Sequence, residues 1–356
     1  MLFKTLMYKT FVKRYFAVIC SVLCVSAFLF AFAGINSTRL KNPADRNMYN
    51  ELIDSYSGKL TEEKIIRLEN LSQKKNEVYE KTEALNKSFA DGEISVDEYK
   101  EKRNELNRSL DGQDGYSRFL QRVAFAENND AEIYDDIPWN VLFNDGITEL
   151  AGCFAVIYLA VVLFIYDIGK PVSALFCSTK YGKRRLYKTD ILIMILSSFI
   201  LGALLRCIKF LTVLIFYGIK NSTVPLMQYE NFAGCDSSLS FVGGYIYLSL
   251  LICFGYVFTG GFVFLTGVLL KNSLYCVGVS VISVILPVVF EGNRLLLFCP
   301  LPFNMIFPSG LFTVIDDGIN AAFTSEQRFF TVMLSVIVCF VCYLTAYLKI
   351  TRRNAL

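Results

Sequence analysis

The chain has 356 residues, a hydrophobic share of 54%, and 35 Lys and Arg against 32 Asp and Glu, for a net charge of +3. That charge is too small for a nucleic-acid surface, and histidine is absent, which excludes hydrolytic triads and metal sites built on His. An apolar share above that of soluble domains, gathered in several runs of about twenty residues, marks a membrane protein.

Residues 1–34 hold Lys4, Lys9, Lys13 and Arg14 without an acid, then an apolar run from Tyr15 to Gly34 suited to one span. Ala31-Phe32-Ala33 has the form of a signal-peptidase site, so cleavage stands beside a retained first span. From 35 to 147 the composition turns charged and polar, as expected of a small domain inserted outside the cytosol. Its pattern is helical. Thr61 reads as an N-cap with Glu62 and Glu63 in the first turn, and Leu71, Val78 and Leu85 recur every seventh residue in a coiled-coil-like seam. Asp91-Gly92 ends that helix. Ser95 and Glu98 open a second one through Tyr99, Leu106 and Leu110, so an antiparallel helical hairpin is expected. Trp139, the only tryptophan, precedes the second apolar run, where an amphipathic ring suits the outer membrane interface.

Residues 148–356 supply five further spans, at 148–167, 191–217, 241–270, 273–290 and 329–349, making six in all. The connection at 168–190 holds Lys170, Lys180, Lys183, Arg184, Arg185 and Lys188, and Lys349, Arg352 and Arg353 follow the last span. Short basic loops stay on the cytosolic side, so both termini and this loop are expected there. Val172, Leu175 and Phe176 add an apolar face ahead of the basic cluster. Arg206 and Lys209 interrupt the third span on one face, with Arg206 about 24 Å from its cytosolic start. They either snorkel to the outer interface or line a polar translocation path. Gly243, Gly244, Gly255, Gly260, Gly261 and Gly267 mark the fourth span as a close-packing helix. Pro300, Pro302 and Pro308 break the next apolar run, which reads as a re-entrant or interface-lying segment on the outer side. Cys339 and Cys342 lie inside an apolar run without the polar surroundings of a zinc or redox site, and read as packing residues. No G-x-x-x-x-G-K-[ST] loop occurs, so the chain itself is not expected to be an enzyme or to bind a nucleotide.

Asp167 ending a span, Gly169, Leu175, Ser178-Thr179, Gly182, Arg184-Arg185, Leu186 and Lys188 together resemble the coupling segment of permease subunits in type-two ABC exporters. Asp167 stands where that family more often has Glu, and Lys180-Tyr181 where it has a small residue followed by Pro. The resemblance implies an all-α polytopic protein of the bacterial plasma membrane, acting as a homodimer or heterodimer of permeases. It implies that Asp167, Val172, Leu175, Phe176, Ser178, Thr179, Lys183, Arg184, Arg185 and Lys188 touch a separate ATPase subunit, which carries the ATP and Mg. The competing expectation is a membrane scaffold or sensor that binds a partner through the hairpin without transporting anything.

Overall fold

The computed structural model describes residues 7–8, 11, 15–91, 93–110, 112–144, 146–165, 182–270, 272–289, 301–313 and 323–352. It is all-helical, with no strand among the described residues, and the chain divides into two compact units. One unit comprises Asn36–Ile137; the other comprises Met1–Ile35 with Pro138–Leu356.

Among its described residues the larger unit contains five helices long and apolar enough to cross a membrane. They are α1 (Phe16–Thr38, entering the smaller unit at its end), α6 (Ile137–Phe143) continued by α7 (Ile147–Ala160) and one π-helical turn at Val161–Ile165, α8 (Gly182–Phe216), α9 (Phe241–Leu270) and α12 (Ser325–Arg352). The remaining expected span, the fifth in chain order, falls on α10 (Ser273–Val289), an apolar helix of 17 residues. At about 1.5 Å per residue it reaches about 26 Å, at the lower limit for a hydrocarbon core. Helix α8 begins at Gly182, nine residues before the expected start of the third span.

Helix α9 is the centre of this unit: 72% of its most apolar window is buried, against 22% for α1, so α9 packs on helices while α1 presents most of its surface outward. The close packing expected of its glycines is present. A Cβ at Gly255 would lie 2.7 Å from the Met305 carbonyl carbon, so only glycine lets α11 (Pro302–Ile306) rest its backbone on α9. The proline-broken run is thus a short helix followed by the turn Pro308–Leu311, with Asn304, Met305 and Ile306 fully buried. Residues 290–300, including Glu291, Arg294 and Pro300, and Asp316-Asp317 lie outside the described residues, as do Lys4, Lys9, Lys13, Arg14, Gly92, Lys271 and Arg353.

Trp139 corrects one expectation. Its side chain is 0% exposed, and its indole Nε1 donates to the carbonyl of Lys220 (3.1 Å). It stacks on Phe143 and meets Phe241 at a tilt, in a cluster that Tyr229 and Phe232 complete. The loop between α8 and α9 folds over the ring, which makes it core and removes it from any lipid interface. The same loop is clasped to α12: Asp236 accepts from the Ser325 amide (2.7 Å) and pairs with Arg328, whose guanidinium lies over Phe312.

Among its described residues the smaller unit holds four helices, α2 (Pro43–Tyr56), α3 (Glu62–Ala90), α4 (Val96–Leu110) and α5 (Gln113–Asn129). The capping signals in the sequence are used: Lys64 N donates to Thr61 Oγ1 and Glu98 N to Ser95 Oγ. Helices α3 and α4 pair, with Phe89 stacked on Tyr99 at 4.2 Å. Their seam is thin, since Leu71, Val78 and Leu85 are only half-buried, and a coiled coil is not what holds the unit together. The core lies instead between α2 and α5, where Tyr49, Leu52 and Ile53 meet Tyr116, Phe119 and Val123. Asp45 fastens the two helices by capping α5, accepting from Asp114 N at 3.1 Å.

Candidate functional site

A dense polar constellation in the larger unit is built on Glu149. Helix α7 starts after Gly146, and Glu149 reaches back to its first turn, where Oε2 accepts from the Gly146 amide (2.9 Å). A carboxylate there satisfies an unpaired amide and complements the positive end of the helix dipole. Its other oxygen, Oε1, lies 2.9 Å from Arg206 Nη1 and 3.6 Å from Lys209 Nζ. Three residues apart on α8, the two cations share a face, as their spacing requires.

Arg206 is held on every side. Nη2 donates to the Leu142 carbonyl (3.2 Å), Nε to Ser249 Oγ (3.2 Å), and the guanidinium lies 4.6 Å from the Tyr245 ring centroid. Lys209 donates to the Asn144 carbonyl. Two tyrosines of α9 close the arrangement: Tyr245 donates to the Arg206 carbonyl (2.8 Å) and Tyr256 to the Glu149 carbonyl (2.9 Å). Tyr256 can do so because residue 152 is glycine; a Cβ at Gly152 would collide with the tyrosine hydroxyl. Helices α7, α8 and α9 are therefore tied at one level by a charge cluster that is almost wholly withdrawn from solvent, the side chains of Glu149, Arg206 and Lys209 being 4%, 3% and 10% exposed.

Such a cluster fixes geometry. Withdrawing one partner would strand an ion in a medium that cannot solvate it. Neither cation reaches the protein surface: both turn inward onto Glu149. Glu149 is the functional candidate that the sequence reading missed. Its one legible signal is a lone acid at the start of an apolar run, two positions after the helix begins.

Of the expected coupling residues, Arg184, Arg185 and Lys188 lie on the first turns of α8, all exposed, while Tyr187 and Asp190 between them are buried. Lys183 falls within α8, but its side chain lies outside what is described. Asp167, Val172, Leu175, Phe176, Ser178 and Thr179 also lie outside the described residues. The structure thus brings Arg206 and Lys209 together with Glu149, and places the three basic residues some twenty positions earlier on the same helix. Among the described residues no group of three or more Cys, Asp or Glu is placed to hold a metal. Cys339 and Cys342 are buried in α12 as packing side chains. No family model matches this chain, and no curated protein or solved structure matches it either.

Proposed function

We propose that the chain is the membrane-spanning permease subunit of an ATP-driven exporter, coupling a separate ATPase to movement of a substrate across the bilayer. The observation that carries this reading is the continuity of α8. One helix of 35 residues begins with exposed Arg184, Arg185 and Lys188 and contains Arg206 and Lys209, locked onto Glu149 about 33 Å further along at the usual helical rise. A push on its basic end would therefore be delivered, with little loss in the helix, to the level where α7, α8 and α9 are tied.

In this reading the segment from Asp167 to Lys188 docks the ATPase on the cytosolic side. With six spans, both termini lie there and residues 35–147 outside, and two permease chains, identical or different, enclose a route whose opening is governed by the helices that Glu149, Arg206 and Lys209 tie together. Replacing Leu175 and Phe176 by Ala tests it. The variant should reach the membrane at the normal level, yet lose both co-purification with the ATPase and substrate-stimulated ATP hydrolysis; retention of both would reduce the segment to an orientation signal. Topology is checked separately in a cysteine-free background. Reagent added outside should label a Cys placed at Ser88 and spare one placed at Ser178.

A second reading, a non-transporting scaffold or sensor, is favoured by one feature: Asn36–Ile137 has a core of its own and carries the paired helices α3 and α4. A tagged chain that retains a protein partner through that unit and never an ATPase would favour it.

A further inference from the structure

We infer that the first turns of α8 bind an anionic phospholipid, with the phosphate on Arg184, Arg185 and Lys188 and an acyl chain along Leu192, Leu196 and Phe199. The three cations, with Thr189 and Leu192, line an open groove of about 500 Å³. At 100° per residue, positions 185, 188, 189, 192, 196 and 199 fall on one face of the helix, and Tyr187, Met194 and Ser198 on the buried face opposite. This face is cationic where α8 begins, at the groove, and becomes apolar within two turns. Leu192, Leu196 and Phe199 are 49%, 44% and 45% exposed. That order, charge then hydrocarbon along one line, is the order of a phospholipid.

Three features make the cationic end a receptor for an anion. Its first turn contains no acid, so like charges are crowded against the positive end of the helix dipole, a conflict that a bound anion relieves. Thr189 lines the groove with its hydroxyl already given to the Arg185 carbonyl (2.8 Å), so the donors for a phosphate are the cations themselves. The preference for basic residues beside a span accounts for their sign, but not for their convergence with Leu192 around one groove. A soluble phosphate would leave the apolar stripe uncovered. A lipid covers both parts, and cationic sites against a span select anionic headgroups in this manner.

The inference needs only that α8 enters the bilayer at its basic end; it does not depend on an ATPase. The full chain is purified in uncharged detergent and titrated with phosphatidylglycerol or phosphatidylcholine, with retained lipid counted by native mass spectrometry. Phosphatidylglycerol should be retained at least about tenfold more tightly, and less so as salt rises. Arg185→Gln with Lys188→Gln should weaken phosphatidylglycerol by about 30-fold and leave phosphatidylcholine unchanged. Equal retention of the two lipids by the unaltered chain would overturn the inference, and that comparison decides even if the double variant fails to insert. Displacement by glycerol phosphate as effective as displacement by the lipid would also overturn it, as a site for soluble anions. The Leu175→Ala, Phe176→Ala variant should keep its lipid selectivity, so loss of ATPase docking and loss of the lipid site register as different results.

Discussion

Two buried acid–base networks, one in each unit, use the same parts in different surroundings. In the smaller unit Asp136 accepts from the Tyr49 hydroxyl (2.7 Å) and pairs with Arg118 (3.2 Å), whose side chain is 22% exposed and also meets the Tyr49 ring. In the larger unit Glu149 pairs with Arg206 and Lys209, and the Tyr245 and Tyr256 hydroxyls bind backbone carbonyls of the same residues instead of the charges. The difference lies in the solvent each network can fall back on. Arg118 keeps one side near water, so part of its charge stays solvated if the pair breaks. Arg206 has no such recourse. The first network closes a small polar core; the second is committed to its partner and fixes three helices in register.

Breaking each network at the carboxylate separates them. Glu149→Gln leaves two cations facing one neutral amide and should cost about 3–5 kcal/mol, read as loss of the folded chain from detergent extracts or a large fall in melting temperature. Replacing Glu149, Arg206 and Lys209 together by Leu sharpens the test, because it removes the stranded charges: stability should recover while, on the proposed permease function, transport does not. A triple variant that transports normally would make the cluster a structural tie and nothing more. Asp136→Asn should cost less, about 1–3 kcal/mol, confined to the unfolding of Asn36–Ile137. Removing the α3 cap with Thr61→Ala should cost about 1 kcal/mol in the same unit and leave membrane insertion untouched.

The smallest effect concerns the clasp at Asp236. Its partial burial opposes ionisation, but the Ser325 amide and the Arg328 guanidinium outweigh that, and its carboxyl is held below the ordinary carboxylate value. A depressed carboxyl contributes above its unfolded value, near pH 4, and its contribution disappears as pH falls through the lower folded value. The protection of the Ser325 amide, measured against its unfolded exchange rate at the same pH, should therefore fall on acidification below about pH 4, and Asp236→Ala should abolish it at every pH.

Local signals were legible in the chain and distant pairings were not. Thr61, Ser95 and the Asp91-Gly92 break announce helix ends because a cap acts within a few residues, and the apolar runs announce helices of spanning length. The prolines at 302 and 308 gave fair warning of α11 and the turn after it. The pairing of Arg206 with Glu149 spans 57 positions, and that of Tyr49 with Asp136 spans 87, so no spacing rule reaches them. Trp139 was misplaced for the same reason: the loop that buries it lies some eighty residues later and has no periodicity to show where it folds. The α2–α5 core was hidden by composition, since short amphipathic helices among many charges resemble the solvated hairpin they support.

The most direct measurement is ATP hydrolysis by the material that co-purifies with the tagged, unaltered chain from its own membrane. A permease subunit predicts a stoichiometric nucleotide-binding partner whose hydrolysis is specific to the complex and is lost with Leu175→Ala and Phe176→Ala. A folded, correctly inserted chain that brings down no ATP-hydrolysing subunit would contradict it.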